Sequence, residues 1–396
     1  MQRTAVWRSV VAALALLTRR LRTLARGNRL PFFLFAVACL FMFFVRGVHH
    51  GGDTARYLDG AERLVNGDPL VGRQGAYLGY IVFVALAQVL GAGGTGVIVA
   101  QVLVSALCVA ALYDLGRRVA GETAGIAAAS LYAVNVDLAR FTFAILTDSL
   151  YTSGLVLSVY LTYRTLAIDR RWAGPAAATV VFTASLRPSG IFITAIFGTF
   201  LAFAILRERS LIWKGLATVA VMIGSLLFVA SPVRSVFSTE DPVQWLVEGT
   251  VVWGDVDSPD PYEMQMPPAG DIDDGVRSAI GYCSDWPVSC ARLFLQRVGV
   301  YFAHTRPFYS FRHNLVILLI FPPLYGLAVV GLWATRHHSF TVLSLAVIGV
   351  HTAVTGLTHV DWDGRFLTYI FPLITLYSGV GIAMLAPRLR ERFGGY

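Results

Sequence analysis

The chain has 396 residues, of which 56% are hydrophobic and only 14% are charged. Soluble domains carry about 25% charged residues, and apolar runs of about 17–25 residues recur along this sequence. These properties exclude an ordinary soluble protein and predict an all-α polytopic membrane protein. The net charge of +8 lies mostly in short loops between apolar runs, as orientation signals do, so we predict no nucleic-acid partner.

The N-terminal segment, residues 1–30, is strongly basic. It contains seven arginines and no acidic residue, and its apolar residues fall near helical spacing. This pattern is typical of an amphipathic helix that lies on the cytoplasmic face of a membrane. Because positively charged segments stay in the cytoplasm, the first span leads outward and leaves Asp53 outside.

The apolar but short segment 77–92 decides the topology of the remaining chain. If it lies in the outer leaflet without crossing, every basic cluster between later spans is cytoplasmic, whereas a full crossing places three of these clusters outside. We therefore predict about 10 spans (10–11), with both termini inside, in the plasma (inner) membrane of the cell envelope. The predicted spans lie near 31–45, 97–115, 123–146, 149–166, 173–187, 190–206, 213–230, 314–334, 340–357 and 366–386.

These spans divide the chain into three further parts after the N-terminal segment. Residues 31–230 form a transmembrane module that includes an outer loop at 46–96 with juxtamembrane helices. Residues 231–312 form a long extracytoplasmic loop, and residues 313–396 hold the last helices. Long ordered loops carry function more often than short connections, so we expect functional residues in these two loops.

Two of the four cysteines, Cys283 and Cys290, lie in polar sequence of the long loop. The extracytoplasmic compartment is oxidising, so we predict a disulfide between them. A zinc pair is the weaker alternative, because no set of Cys or His partners stands at ligand spacing nearby.

Asp53 is the first acidic residue of the chain and follows the first span directly. The next segment, Thr54–Asn66, has one apolar stripe, which predicts a helix lying on the outer membrane surface. Asp53 then stands at the helix N-terminus, where Asp is a preferred cap and the helix dipole favours the ionised carboxylate. The same carboxylate could accept a proton from a substrate hydroxyl or amine, so a cap and a general base are both open interpretations.

Further charged residues gather at the outer ends of the predicted spans, and each has two interpretations. Asp148 is either a helix cap or part of a polar cavity. Asp137 and Arg140 are spaced for an ion pair on one helical face, or for lining that cavity. Arg187 and Arg365 are either turn residues that reach the membrane interface or guanidinium groups that bind a phosphate.

Two short Asp-x-Asp patterns, Asp255/Asp257 and Asp361/Asp363, are of a kind that can hold a divalent cation. The pattern is short and common, so we predict no cofactor, with a divalent metal as the alternative. The sequence contains no HExxH or GxSxG motif and no phosphate-cradling glycine-rich loop, which argues against metalloprotease, serine hydrolase and ATP-driven chemistry.

Three motifs, in their order and spacing, carry a family resemblance. They are Asp-Thr-Ala-Arg-Tyr at 53–57, Tyr-Asp-Leu-Gly-Arg-Arg-Val-Ala-Gly at 113–121 and Leu-Thr-Asp-Ser-Leu at 146–150. Looser similarities are Arg-Pro-Ser-Gly at 187–190 and Gly-Arg-Phe at 364–366. Over roughly residues 30–210 the chain resembles the GT-C superfamily of integral membrane glycosyltransferases, in the branch that contains protein O-mannosyltransferases and aminoarabinose transferases.

The resemblance implies an enzyme that moves a sugar from a polyprenyl-phosphate-linked donor to a glycan, lipid or protein acceptor outside the cell, with inversion. It implies that arginines hold the lipid phosphate in an outer-leaflet cavity, in contact with membrane lipid, and that Asp53 acts as the general base. The residues expected to bind substrate are Arg56, Tyr57, Arg73, Arg140, Asp148, Arg187 and Arg365.

One departure from the family pattern leaves other classes open. Some relatives carry a second acidic residue beside the first Asp or late in the first loop, but Gly52 and Thr54 flank Asp53 here, and Arg73 occupies the late position. A noncatalytic partner subunit with the same fold is therefore an alternative. A transporter or flippase of lipid-linked saccharide is another, although it requires paired broken helices and charge near mid-membrane, whereas charge here gathers at one face.

Overall fold

The computed structural model describes residues 29–210, 212–217, 219–221, 223–224, 242–254, 262–268 and 276–393. Three predicted features fall partly or wholly outside these ranges: the basic segment at 1–30, the span at 213–230 and the Asp255/Asp257 pattern. The described chain is mostly helical, in agreement with the predicted class.

The helices of the first half follow the predicted spans to within a few residues, with one exception given below. Two 3-10 turns, Gly72–Tyr77 and Arg170–Trp172, connect some of them. In chain order the helices are α1 (Leu30–Arg46), α2 (Thr54–Asn66), α3 (Leu78–Val89), α4 (Gly93–Ala120), α5 (Glu122–Ala133), α6 (Val136–Thr142), α7 (Thr147–Ala167), α8 (Ala173–Ser185) and α9 (Gly190–Ile205).

The second half adds a small sheet to the helices. Its strand order is β2-β1-β3, with β1 antiparallel to β2 and parallel to β3. The elements are α10 (Pro242–Val247), β1 (Thr250–Trp253), β2 (Tyr262–Glu263), α11 (Val276–Asp285), α12 (Pro287–Ala303), α13 (Phe311–Ala334), α14 (Ser339–Leu357), β3 (Val360–Asp361), α15 (Arg365–Thr368) and α16 (Phe371–Phe393).

Three helices among the described residues, α4, α13 and α14, are long and apolar enough to cross a membrane. Several shorter apolar helices accompany them, including α1 and most of α9. Helix α3 has 12 residues, a length of about 18 Å, which is well below the roughly 30 Å of a hydrocarbon core. This length favours a segment 77–92 that does not cross, which stays a prediction because α8, in a predicted span, is almost as short at 13 residues.

Two predicted spans are each broken into two helices. The apolar run 123–146 forms α5 and α6, because Asn135 starts a new helix by accepting a hydrogen bond from the Leu138 amide at 2.8 Å. The run 366–386 forms α15 and α16, with Pro372 in the first turn of α16, where proline is tolerated. Both breaks lie at the same end of the bundle. The backbone there is not part of a continuous helix and can contribute to a polar site.

Helix α16 packs closely against α5 and α13 through glycines. A Cβ atom on Gly331 would collide with the backbone of Tyr377, and one on Gly379 would collide with Ala128. Small residues that let helix backbones approach are a recurrent feature of membrane helix packing. The last helix is thereby held in the centre of the bundle.

At the opposite end of the bundle, a buried carboxylate joins α4 to α7. Asp114 accepts hydrogen bonds from Arg117 at 3.0 Å, Arg118 at 2.7 Å and Tyr160 at 2.9 Å, and Arg164 lies 3.5 Å away. The basic turn noted in the sequence is therefore organised around one aspartate. In the long loop, Cys283 and Cys290 form the predicted disulfide, so the zinc alternative does not apply.

Candidate active site

A cavity of about 790 Å³ lies at the end of the bundle where the two helix breaks occur. Six arginines and three aspartates line it, which leaves an excess of three positive charges. Such an excess, focused in a cleft, attracts an anionic ligand, and guanidinium groups match phosphate oxygens in pairs. The charged lining residues are Arg46, Arg56, Arg73, Arg140, Arg187, Arg365, Asp53, Asp361 and Asp363.

Asp53 projects into this cavity from the start of α2. It stands at the predicted N-cap position, but its side chain makes no capping hydrogen bond. Its carboxylate instead contacts Arg56 at 2.9 Å and Arg365 at 3.3 Å and is 25% exposed. The capping interpretation is therefore wrong for the side chain, which faces the cavity with both oxygens engaged by arginines.

The loop that carries Asp53 is fixed by its neighbours. Thr54 Oγ1 accepts a hydrogen bond from the Gly51 amide and donates one to the Ile145 carbonyl, both at 2.9 Å. His49 pairs with Ala144 as in a parallel sheet. The first loop is thus joined to the segment before α7, and Asp53 is held without using its own side chain.

Arg187 lies in the break between α8 and α9, as predicted. Its Nη1 donates to Thr147 Oγ1 at 3.0 Å and to Asp148 Oδ1 at 3.1 Å, and its guanidinium lies 4.9 Å from the ring centre of Tyr369. The side chain is 13% exposed and lines the cavity. These contacts hold a planar cation in one orientation at the cavity wall.

Asp148 differs from its prediction. It lies in the first turn of α7, whose N-cap residue is Leu146, so it is not the cap. It is 1% exposed, does not line the cavity, and accepts hydrogen bonds from Arg187 and the Tyr369 hydroxyl. The reason is that the Asp148 side chain forms an ion pair with Arg187 outside the cavity lining, so Asp148 holds a lining residue in position.

Arg365 connects Asp53 to a second aspartate. Its Nε contacts Asp361 Oδ2 at 2.7 Å while its Nη1 contacts Asp53 Oδ2 at 3.3 Å. Burial alone would raise the pKa of Asp361, but the charge of Arg365 outweighs it and lowers that pKa to about 2. Asp361 is therefore the permanent counter-charge of Arg365.

Asp363 has the opposite electrostatic environment. Burial, together with the charge of Asp361, raises the pKa of Asp363 well above its usual range. Its Oδ1 accepts a hydrogen bond from the Arg365 amide at 3.2 Å, and Arg140 lies 3.6 Å from its Oδ2. The cavity thus holds a third carboxyl group, supplied like that of Asp361 by the segment before α15.

Arg140 lines the cavity, but not as the close ion-pair partner of Asp137 that its spacing suggests. The two groups are 3.9 Å apart, whereas Arg140 donates to the Asp363 carbonyl at 2.9 Å. Asp137 instead faces His304 Nε2 at 3.2 Å. Arg140 contacts the loop before α15 more closely than it contacts Asp137, because this loop lies next to α6.

Tyr57 does not line the cavity. It is 1% exposed and packs edge-on against Tyr77 and Tyr80, at ring-centre distances of 5.4 and 4.8 Å. It lies on the face of α2 that is buried against α3, and Tyr77 takes the place on the cavity wall. Arg56 and Arg73 do line the cavity, as predicted.

An aromatic wall faces the arginines, and the sequence motifs did not indicate it. His359 lies between two tryptophan rings, 4.4 Å from Trp245 and 5.9 Å from Trp253. Burial lowers the pKa of His359 to about 4, so it is neutral at pH 7. The signal in the sequence was Trp245 and Trp253 in the long loop and His359 and Trp362 shortly after α14. The wall consists of Trp245, Trp253, His359, Trp362 and Phe366.

Arg297 on α12 holds this wall in place. It is buried and donates to the carbonyl oxygens of Thr250 at 2.8 Å, Trp245 at 3.0 Å, Leu357 at 3.1 Å and Gly356 at 3.3 Å. Burial lowers the pKa of Arg297 to about 10. One side chain therefore joins α10, β1 and the end of α14 behind the aromatic residues.

The Asp361/Asp363 pattern engages arginines in this structure. Within the described ranges, no group of three or more His, Cys, Asp or Glu side chains is arranged to hold a metal ion. Asp361 is bound to Arg365, and Asp363 faces Arg140. The geometry of this pair is that of an ion-pair network.

Comparison with known proteins gives a family match over part of the chain. Residues 76–234 match the family described as dolichyl-phosphate-mannose-protein mannosyltransferase. No curated protein sequence matches the chain. The matched segment covers α3 to α9 and includes Arg140 and Arg187, but it leaves out Asp53 and Arg365.

Solved structures share the fold at low sequence identity. The oligosaccharyltransferase of Archaeoglobus fulgidus, in the apo form, is 11% identical with a TM-score of 0.50, over 93% of this chain and 52% of that one. The same protein, AglB, in complex with an inhibitory peptide and a dolichol-phosphate, is 12% identical with a TM-score of 0.50, over 93% and 52%. ArnT from Cupriavidus metallidurans, in the apo state, is 13% identical with a TM-score of 0.50, over 91% and 61%.

The resemblance to the GT-C glycosyltransferases is confirmed by these matches. The chain spans only about half to three-fifths of the length of the solved proteins. A shared fold does not by itself define an activity, so the function has to be argued from the cavity.

Proposed function

We propose that the protein is an inverting membrane glycosyltransferase that moves a sugar from a polyprenyl-phosphate donor to an extracytoplasmic glycan, lipid or protein acceptor. The observation that carries this proposal is the meeting of a partly exposed carboxylate, Asp53, with six arginines in one cavity. Such a cavity offers a base and an anion site side by side. That a protein of the same fold is known in complex with a dolichol-phosphate supports a lipid phosphate as the anion.

The proposed topology is the predicted one of about ten spans in the inner membrane, with this cavity on the outer face. Its supports are the short α3 and the position of the disulfide. Cys283 and Cys290 form the disulfide in the second half of the chain, and the same half supplies the aromatic wall. Disulfides persist in oxidising compartments, which supports the proposed position of that wall, and with it the cavity, outside.

In the proposed reaction, Asp53 accepts the proton of the acceptor hydroxyl or amine as the acceptor atom bonds to the anomeric carbon. The bond between that carbon and the phosphate oxygen breaks, and the bonding electrons leave with the polyprenyl phosphate. The departing phosphate gains negative charge, which Arg187 and Arg365 stabilise from fixed positions. Attack from the face opposite the leaving group inverts the anomeric centre.

Arg365 links the two halves of this mechanism. In the resting structure it contacts Asp53 and Asp361 at the same time. A donor phosphate would compete for its Nη1 group, while Asp361 keeps the guanidinium in place through Nε. Donor binding would thereby release one oxygen of Asp53 towards the acceptor.

The aromatic wall fits a saccharide. Apolar C–H faces of sugar rings stack on aromatic side chains, and binding pockets combine such surfaces with a few oriented polar groups. Trp245, Trp253 and Trp362 provide these surfaces opposite the arginines, and Gln244 adds an amide to the same lining. The cavity therefore offers arginines suited to an anion and aromatic surfaces suited to sugar rings.

The first test replaces Asp53 with Asn. With a panel of polyprenyl-phosphate sugars as donors, we expect Asp53→Asn to lower transfer by about 10²–10⁴-fold, the range of general-base catalysis, while donor binding persists. Turnover is measured as release of polyprenyl phosphate from purified protein.

The matched control is Asp59→Asn. Asp59 lies on the same helix and contacts Arg63 at 3.0 Å, but it does not line the cavity, so near-normal turnover is expected. Wild-type turnover in Asp53→Asn would refute the assigned role. Donor binding without turnover by the wild-type protein would favour a noncatalytic partner, and movement of intact donor between leaflets would favour a flippase.

A further inference from the structure

A second cavity, of about 740 Å³, lies at the other end of the bundle. It is formed by the last residues of α7, the turn that follows and the end of α9. Helix α7 has 21 residues, about 31 Å, and its first turn contacts Arg187 of the candidate active site. The two cavities are therefore separated by about the thickness of a hydrocarbon core and lie at opposite membrane interfaces.

The second cavity combines cations with apolar side chains. Arg170, Arg207 and Lys214 line it against a single acidic residue, Asp169. Asp169 is already engaged by Arg171 at 3.1 Å, a residue outside the cavity. Arg170 in turn contacts Glu208, also outside the lining, at 2.8 Å. Three cations and one carboxylate give the lining a net positive charge of two.

The apolar part of the lining faces the bilayer. Phe200 and Phe203 belong to α9 and line the cavity, and Phe203 is exposed. Ser339, the first residue of α14, adds a helix N-terminus to the same lining, where backbone N–H groups favour an anion. The site thus offers cations and N–H donors beside an apolar surface.

We propose that this cavity binds the headgroup of an anionic glycerophospholipid. The phosphodiester would lie between Arg207 and Lys214, and the acyl chains would leave along Phe203 into the leaflet. Basic pockets between membrane helices at the cytoplasmic side bind anionic headgroups in this way. The lipid would join α7, α9 and α14, which converge at this cavity, at the face opposite the catalytic one.

The test uses purified, delipidated full-length protein and native mass spectrometry. With phosphatidylglycerol and phosphatidylcholine as probes of matched chain length, we expect phosphatidylglycerol to be retained at least about tenfold more strongly. The double variant Arg207→Ala/Lys214→Ala is expected to lose this preference. Equal retention of the two lipids by the wild-type protein would overturn the proposal.

The matched control is Arg209→Ala, which removes a neighbouring exposed cation that does not line the cavity. This control should keep the preference for phosphatidylglycerol. Equal losses of that preference in the control and in the double variant would show that general surface charge attracts the lipid, and would refute a defined site. Phe203→Glu provides a second variant, in which a new negative charge at the rim is expected to expel the lipid.

A thermal-unfolding assay separates a lipid from its phosphate group. Phosphatidylglycerol is expected to raise the unfolding temperature of the wild-type protein, because a ligand that binds only the folded state stabilises it. Inorganic phosphate and glycerol phosphate at the same concentration should not. If either reproduces the full shift, the site binds free phosphate compounds and the lipid assignment fails.

Discussion

Two aspartates, Asp361 and Asp363, show how strongly position decides the behaviour of one residue type. They are two residues apart in the same loop, yet Arg365 lowers the pKa of the first and burial raises the pKa of the second. The negative charge of Asp361 stabilises the fold, whereas a negative charge on Asp363 would destabilise it. Substitutions at the two positions should therefore have opposite effects on stability.

Asp361→Asn should destabilise the protein. Removing one partner of a buried ion pair leaves the other uncompensated, at a cost of about 3–5 kcal/mol. Because the pKa of Asp361 is lowered to about 2, its contribution is complete above the unfolded pKa of about 3.9. It is lost as pH falls from there towards 2. Unfolding temperatures measured across this range should show a smaller pH dependence in the variant than in the wild type.

Asp363→Asn should leave stability at neutral pH unchanged or raise it. A carboxyl group whose pKa is raised in the folded state destabilises the fold as pH rises above its unfolded pKa of about 3.9, in full above the raised folded pKa, and Asn removes this cost. The amide oxygen of Asn can still accept the hydrogen bond from the Arg365 backbone. A loss of stability as large as that of Asp361→Asn would contradict the assigned environment, and the two variants serve as controls for each other.

Arg187→Lys should impair donor binding in a protein that still folds. Lysine lacks the planar fork that contacts Thr147 and Asp148 and lies over Tyr369, and it binds phosphate as a point charge. We expect the KM for the donor to rise about tenfold or more, equivalent to about 1.4 kcal/mol. Arg63→Lys, at a position outside the cavity, is the control, and an unchanged donor KM in Arg187→Lys would refute the phosphate role.

At the level of single residues, the sequence indicated the charged lining better than the rest of the site. Arg187 and Arg365 stand out because charge is rare beside apolar runs. Tyr57 and Asp148 were misplaced because sequence spacing does not tell which face of a helix meets the cavity. The aromatic wall was missed because Trp245 and Trp362 come from different loops, and only the tertiary fold brings them together.

The secondary-structure elements around the aromatic wall depend on Arg297. It is the donor for carbonyl groups of α10, β1 and α14, and β1 in turn pairs with β3, next to the Asp361 loop. No described acidic side chain lies close enough to Arg297 to form an ion pair, so the role of Arg297 rests on these backbone contacts. Residue Arg297 thus positions the wall without lining the cavity.

Arg297→Met should lower stability by about 3 kcal/mol, because several buried carbonyl groups lose their donor. The tryptophans should become more exposed, so we also expect a red-shifted Trp emission. Arg292→Met on the same helix, at an exposed position, is the control. Unfolding of Arg297→Met at the wild-type temperature would show that the wall is held by other contacts.

Helices were predictable from apolar runs, whereas breaks and strands were not. The run 123–146 is apolar on average although it contains Asn135, Asp137 and Arg140, so mean hydropathy alone did not show that Asn135 begins a new helix. The strands have two to four residues, which is too few for an alternating pattern to be recognised. These irregular parts form the site, and they are specified by tertiary contacts.

The molecule as a whole has two charged ends, and the proposed topology assigns them to opposite membrane faces. This assignment can be tested by cysteine labelling in a background with Cys39→Ala and Cys108→Ala, which keeps the disulfide. Asp68→Cys, at an exposed position after α2, should react with an impermeant maleimide on intact cells. Arg171→Cys should react only after the membrane is permeabilised.

The labelling pattern has a clear contrary result. If both cysteines react from the same side, segment 77–92 crosses the membrane and the span count changes. The cytoplasmic position of the basic clusters, including those around Arg117 and Arg207, would then be wrong.

The ion pair between Asp53 and Arg365 also has a consequence for biogenesis. The two residues are 312 positions apart in the chain, so at about 5–20 residues per second the ribosome needs roughly 15–60 s to make the arginine after the aspartate. During that interval Asp53 has only Arg56 as a neighbouring cation from its own helix. The membrane insertion of the last helices therefore completes the proposed catalytic centre, and we expect the nascent chain to remain inactive until then.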